Sequence, residues 1–446
     1  MSLVNSRPQS LNPSDVRALL SRHMLVDGFE LVVDLEKSRG CRLYDALHHR
    51  YYIDFFSFFA THPIGFNHPH LWTGEAQKEL LQAAVTKVSN ADVYSISMAR
   101  FVKTFARVAK PDFMKYLFWV EGGALAVENA LKTAFDWKVR RNLRKGHREE
   151  RGSQVIHFSQ AFHGRSGYTL SLTNTYDVRK TAYFPKFNWP RVLNPKISFP
   201  LDERSLEEVT RAEEESVRQI KDAFAQNRDD IAAIIIEPIQ GEGGDNHFRR
   251  EFLEQLRLLA DENEALLIFD EVQTGVGLTG RMWAYEHFVE PDIVAFGKKT
   301  QVCGIMSSDR IDDEPENVFH VPSRINSTWG GNLVDMVRCK LYLEAIESER
   351  LVSAAAVTGA YLHDQLVRLQ AGFPHLISNA RGRGLFCALD LPGNEMRARF
   401  REQCFRKGLI ILPCGERSIR FRTALNIDRE TLDEGLAVIR EVLQGL

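Results

Sequence analysis

The sequence predicts an α/β protein with a mainly parallel sheet in a large domain and a smaller α/β domain at the C-terminus. Three observations carry this. From about residue 76, helical patterns alternate with short apolar runs: "YLFWV" (116–120), "VIHF" (155–158), "IAAIIIE" (231–237), "ALLIFDE" (265–271) and "IVAFG" (293–297). Such alternation implies right-handed crossover units and parallel strands. The runs are also continuous in hydrophobicity, as strands covered on both faces require. Beyond residue 331, finally, a long helical pattern leads to strands at "GLFCALDL", "LIILP" and "SIRFR" and a closing helix from Arg429.

Taken in order, Ser14 and Asp15 can cap a first helix through "VRALLSRHM". "LVVDLEKSRGCRLYDALHHRYYIDFFS" reads as antiparallel strands joined by tight turns, with His48-His49 at one of them. The charged stretch 202–226 predicts a helix with a solvated face. The expected organisation is an N-terminal helix and strand segment (1–75), a large domain (76–330) and a small domain (331–446).

Composition narrows the function. The chain has 446 residues, 44% of them hydrophobic and 26% charged, with a formal net charge of −2. That balance leaves no electrostatic footprint for nucleic acid or an anionic membrane. Six cysteines without a CxxC pair argue for reduced thiols in a cytoplasm and against a disulfide frame or structural zinc, and no metal site is expected. The opening residues carry no signal-peptide pattern, and no apolar stretch is long enough to span a bilayer.

The candidate chemistry gathers at strand ends. "IVAFG" is followed directly by Lys298 and Lys299, and "ALLIFDE" ends in Asp270 and Glu271. Open α/β sheets place their ligands at the carboxyl ends of strands. An aspartate and a lysine projecting there suit pyridoxal phosphate, with the lysine as a Schiff base and the aspartate keeping the pyridine nitrogen protonated. Burial beside another cation, Lys299, lowers the pKa of Lys298 and makes its amine a usable nucleophile. "EGGALAVENALK" sends Gly122-Gly123 and Ala124 into a helix N-terminus, an anion site suited to a small phosphate. In "QAFHGRSGYTLSLT", Phe162 can stack on a planar ring, His163 can edge it, and Arg165 offers a fork for a carboxylate. "EPIQGEGGD" ends a strand with Glu237 and sets Glu242 in a glycine-rich loop able to move. "SIRFR" brings Arg420 and Arg422 to one face of a strand. "NSTWGGN" places Thr328 among small residues able to approach a phosphate. "GVGLTG" (275–280) matches a dinucleotide fingerprint, but only two turns of helix fit before Pro291 and the next strand ends in lysine. A turn leading chain away from the site is the better reading.

Together "FHGR", "EPIQGEGGDNHF", "IFDEVQTG", "FGKK" and "NSTWGG" resemble the class III (ω-amino) aminotransferases of the fold type I pyridoxal-phosphate superfamily, over nearly the whole chain. Within that family, "FPKFNWPR" and "FGKKTQVCG" are most similar to the bacterial L-lysine 6-aminotransferases. The 4-aminobutyrate branch is more distant. The resemblance implies that Lys298 is the covalent lysine, that Asp270 pairs with the ring nitrogen and that Gln273 lies near the ring hydroxyl. It implies that Gly123 and Ala124 cup the phosphate, helped by Thr328 from the other subunit of a homodimer. Arg165 then grips the distal carboxylate and Arg420 the α-carboxylate of 2-oxoglutarate. Glu242 neutralises Arg420 when L-lysine is bound, and Asn326 lines the pocket. The alternatives within reach are another ω-amine donor, such as 4-aminobutyrate or ornithine, an aminomutase, and a non-enzymatic pyridoxal-phosphate regulator.

Overall fold

The computed structural model describes residues 11–446. Residues 1–10, where most of the signal-peptide reading falls, lie outside the described residues. A first helix spans Pro13–Ser21. Its cap is Asn12, whose side chain accepts from the Ser14 amide, and not Ser14 or Asp15. Pro13 favours that arrangement, because a proline at the first helical position gives up an amide that would go unbonded anyway.

Strands β1 (Val33–Arg39), β2 (Arg42–Asp45) and β3 (Arg50–Asp54) form the expected antiparallel hairpins. The second turn is built by Asp45, whose carboxylate accepts from the Leu47 amide at 2.9 Å, while His49 takes the positive φ of 54°. Farther along come β4 (Met114–Val120), β5 (Gln154–Phe158), β6 (Arg191–Val192) and β7 (Ile231–Ile236). They are followed by the two-residue pair β8 (Ile239–Gln240) and β9 (Asn246–His247). Then follow β10 (Leu266–Asp270), β11 (Ile293–Phe296) and β12 (Cys303–Ser308). The C-terminal part adds β13 (Ser378–Arg383), β14 (Phe386–Asp390), β15 (Leu409–Ile410), β16 (Leu412–Cys414) and β17 (Ser418–Phe421).

The central sheet runs β4-β12-β11-β10-β7-β5-β6. Every residue of β7, β10 and β11 is buried, as their unbroken apolar runs require. Pairing is parallel from β11 through β6, but β12 is antiparallel to both β11 and β4. The sequence reading lacked β12, whose "CGIMSS" has neither an apolar run nor an alternation. Two β-neighbours and full burial hold it there. Because β4 and β11 both run against β12, their carboxyl ends share one edge with those of β5, β7 and β10.

The N-terminal strands do not stand alone, since β3 pairs in parallel with β15 from the far end of the chain. β13, β14, β17 and β16 form a separate antiparallel sheet. The charged 202–226 stretch is a helix over Glu203–Gln226 with a capping box at Asp202, and it buries a stripe of Val209, Ile220 and Ala223. Among the described residues no helix is long and apolar enough to cross a membrane.

Candidate active site

Register does most of the assembly. Phe269 pairs with Ile236, and Asp270 pairs with Ala295. Glu237, Asp270 and Lys298 therefore emerge from three adjacent strands on one edge. They wall a cavity of about 290 Å³ together with Gly123, Ala124, Phe162, His163, Arg165, Val272 and Gln273. Nine of these residues come from the sequence reading. Val272 was missed, because an apolar residue one turn past a strand looks like core.

The two lysines separate cleanly. Lys298 lines the cavity and is held at φ +53° in a short 3₁₀ turn, Lys298–Thr300. Lys299 is buried and turned away, its Nζ donating to the Gln273 carbonyl at 2.7 Å and the Ala60 carbonyl at 3.4 Å. Burial lowers the Lys298 pKa. Asp270 opposes that shift, and the cation that adds to it is Arg420, so the expected part for Lys299 falls to a different residue.

Asp270 accepts from the Val272 amide at 3.1 Å, and its other oxygen lies 2.8 Å from His163 Nδ1. His163 is thus first a partner of Asp270, and its buried Nε2 has no protein partner. Glu237 uses both oxygens on backbone, accepting from Phe162 N and Gly241 N at 2.9 Å each. Burial pushes its carboxyl up to about 7, helped by Asp270 and opposed by His163. It holds two loops in place around the cavity.

The helix Gly123–Arg144 starts at Gly122, whose φ of +96° excludes a side chain that could cap it. Its first amides stay open toward the cavity, with the positive end of the dipole behind them. An open helix N-terminus, a lysine, a carboxylate at the cavity floor and an unpartnered imidazole nitrogen are the donor set a pyridine ring bearing a phosphate needs. The residues present fit pyridoxal phosphate.

The match of the class-III aminotransferase family model to residues 26–443 decides the family. This chain belongs to the class-III aminotransferases. Their cofactor is pyridoxal phosphate. The chain is 52% identical over 433 residues to the L-lysine-epsilon aminotransferase of Mycobacterium tuberculosis H37Rv, covering 97% of this chain and 96% of that one. It is 49% identical to the protein of that name from Streptomyces clavuligerus, over 96% and 94% of the two chains. The human mitochondrial 4-aminobutyrate aminotransferase is 31% identical, over 87% and 80%. A solved lysine aminotransferase from M. tuberculosis superposes with a TM-score of 0.95 at 51% identity, covering 98% of this chain and 100% of that one.

In this class-III aminotransferase two arginines stand at or near the cavity, Arg165 in its wall and Arg420 behind Gln273. Arg165 is exposed at its wall and has no ion-pair partner among the described residues. Arg420 donates to Glu242 Oε2 at 2.6 Å and lies 3.4 Å from Gln273 Oε1, so Gln273 links it to the cavity. Phe59 sits 5.5 Å from the Arg420 guanidinium. It is carried by Ser57–Ala60, a single turn whose four residues all have positive φ, between 38° and 65°. No glycine or asparagine marks that turn, so nothing local in the sequence announces it.

Arg422 has its own partner. Asp245 accepts from it at 2.9 and 2.5 Å, both side chains are fully buried, and Arg422 lies 3.5 Å over the Phe386 ring. Arg422 is thus committed to Asp245, while Arg420 pairs with Glu242. Removing one partner of a buried pair strands the other charge, so Asp245→Ala should lose about 3–5 kcal/mol in chemical denaturation. A loss under about 1 kcal/mol would show that the pair holds nothing together.

Asn326 and Thr328 do not reach the cavity of their own chain. Both are exposed; the Asn326 side chain accepts from its neighbour Ser327 N, and the Thr328 carbonyl accepts from Ser89 Oγ at 2.6 Å. Gly244 of "GEGG" has a φ of +133°, and the other two glycines are closely packed. A side chain on Gly241 would meet Gln273 at 2.5 Å, and one on Gly243 would meet the Gln160 carbonyl oxygen at 2.0 Å. They are small because the loop is packed tightly, and Gly415 N donates to the Glu242 carbonyl at 2.8 Å to pin it further.

Proposed function

We propose that the chain transfers the terminal amine of L-lysine to 2-oxoglutarate, giving glutamate and 2-aminoadipate 6-semialdehyde, which cyclises. The observation that carries this is the Arg420–Glu242 pair beside a free Arg165. An ω-amine donor brings one carboxylate, far from the reacting nitrogen, and Arg165 serves it. A dicarboxylate acceptor brings a second, next to the reacting carbon, and Arg420 serves that one. Arg420 keeps an unused donor for it, since its buried Nε has no protein partner. The greater identity to lysine relatives than to 4-aminobutyrate relatives favours lysine as donor.

Pyridoxal phosphate, when bound, supplies the electron sink that stabilises charge at the substrate carbon. Gly123 and Ala124 would hold its phosphate on backbone N–H groups, and Phe162 would cover the ring. Asp270, braced by His163, would keep a proton on the ring nitrogen. Gln273 spends its oxygen on the two arginines, which leaves its amide nitrogen for the ring hydroxyl. Lys298 Nζ would anchor the cofactor and, with its pKa lowered, would hold and move a proton at the substrate carbon. Arg165 and Arg420 orient the substrate by its carboxylates.

The unit of function is a homodimer in the cytoplasm. Asn326 and Thr328 are exposed, and Thr328 is followed by Trp329, which is 44% exposed. The loop bonds to Ser89 and Asn90, a few residues before Tyr94 and Ile96, which are 79 and 74% exposed. In the dimer we infer, such a surface is covered by the other subunit, and Asn326 and Thr328 serve that subunit's cavity. The six buried free cysteines fit a reducing compartment.

Single-turnover kinetics of Glu242→Ala test the reading. With lysine bound, the variant leaves Arg420 uncompensated beside the reacting amine, where it also attracts the α-carboxylate to the wrong end. Losing a charged hydrogen bond of ~1.5–3 kcal/mol should lower kcat/KM of the lysine half-reaction by roughly 10- to 150-fold. The 2-oxoglutarate half-reaction should lose much less. Equal losses would remove Glu242 as a switch, the group that covers Arg420 for lysine and gives it up to the α-carboxylate of 2-oxoglutarate. A donor panel in which 4-aminobutyrate outpaces L-lysine would overturn the substrate.

A further inference from the structure

Glu242 has two cations, and the proposed switch uses only one of them. Lys180 Nζ donates to Glu242 Oε1 at 2.6 Å while Arg420 holds Oε2 at the same distance. Burial opposes ionisation of Glu242, but Arg420 and Lys180 together outweigh it and hold the carboxyl below its usual range. Lys180 ends a short 3₁₀ turn, Val178–Lys180, capped by Asp177, and its Nζ lies 5.9 Å from the Phe162 ring. A second cavity of about 580 Å³ is lined by both Lys180 and Glu242, with Tyr176, Arg179, Arg397 and Cys414.

The pinned loop makes this arrangement consequential. Gly241 and Gly243 are closely packed and the Glu242 carbonyl is bonded to Gly415, so moving the backbone would break those contacts. Rotation of the Glu242 side chain would not. A carboxylate released from Arg420 without a new partner would be a mostly buried, unpaired charge, and that cost would fall on the incoming acceptor.

We propose that Lys180 is the residue that receives Glu242 when a substrate carboxylate takes Arg420. In this view the carboxylate keeps its Lys180 bond throughout and rotates on it into the second cavity. Arg420 is thereby freed without stranding Glu242. Lys180 is a positioning residue, since it acts on substrate only through Glu242. The proposal rests on the Glu242 switch described above and adds its second contact.

Lys180→Met tests it in single-turnover experiments with the intact holoenzyme. The concentration of 2-oxoglutarate giving half-maximal rate should rise about 10-fold, with the maximal rate of that half-reaction changing far less. The lysine half-reaction, in which Arg420 still covers Glu242, should lose several-fold less. Lys180→Arg should restore most of the acceptor affinity. In a Glu242→Ala background, Lys180→Met should add no further loss, because its only route of action is gone. Equal loss in both halves would mean Lys180 binds substrate or holds the fold. An unchanged acceptor half, or a loss that persists in the Glu242→Ala background, would also overturn the assignment. The switch is judged separately. If Glu242→Ala separates the half-reactions while Lys180→Met changes neither, the switch stands and the part given to Lys180 falls.

Discussion

Lys298→Ala should lower turnover by at least ~10⁴-fold, about 5.5 kcal/mol of barrier, the largest effect expected of any single substitution here. The variant loses the amine that anchors the cofactor and the base that moves the substrate proton. Nothing nearby can replace it. Lys299, its neighbour in sequence, is bonded to two backbone carbonyls and is held well below the ordinary ammonium range by burial, then by Lys298 and Arg422. Borohydride reduction of the holoenzyme followed by peptide mapping gives an independent reading, with the label expected on Lys298. A label on Lys299, or a Lys298→Ala protein that still turns over within tenfold of the parent, would reverse the assignment.

The second large effect is expected at Asp270. Asparagine has the same shape and can still accept from Val272 N, so Asp270→Asn should fold and bind the cofactor. It lacks the anion that holds a proton on the ring nitrogen, and the His163 contact at 2.8 Å loses its charge. Proton transfer at the substrate carbon should slow by at least ~10²-fold, about 2.7 kcal/mol, with little change in cofactor affinity. Near-normal single-turnover rates would reduce Asp270 to the residue that fixes the turn after β10.

Much of the site was legible because its signals are local. An unbroken apolar run ending in Asp270, another ending in Gly297-Lys298, and a Gly-Gly entry to a strong helix each state their position without reference to the rest of the chain. Strand type follows from the hydrophobic pattern, and parallel strands place their carboxyl ends together. That is enough to bring Asp270, Glu237, Lys298, Gly123 and Phe162 to one edge. What stayed hidden has no local mark. β12 is a strand through its two neighbours alone. The left-handed turn at Ser57–Ala60 has no residue that favours positive φ, at a cost of ~1–2 kcal/mol per residue that only surrounding contacts can offset.

The same division runs through the chemistry. Which residue types meet at the sheet edge, and hence the reaction class, was determined by the order of residues along the chain. Which charge neutralises which was decided only in three dimensions. Arg420 and Arg422 look equivalent in "SIRFR", yet Arg420 lies in β17 and shares Glu242 with Lys180, while Arg422 lies just past the strand's end and is locked to Asp245. These partners lie 177, 178 and 62 residues apart in the chain. A buried charge takes whichever opposite charge the packing delivers, because leaving it unpaired costs more than any local preference can supply.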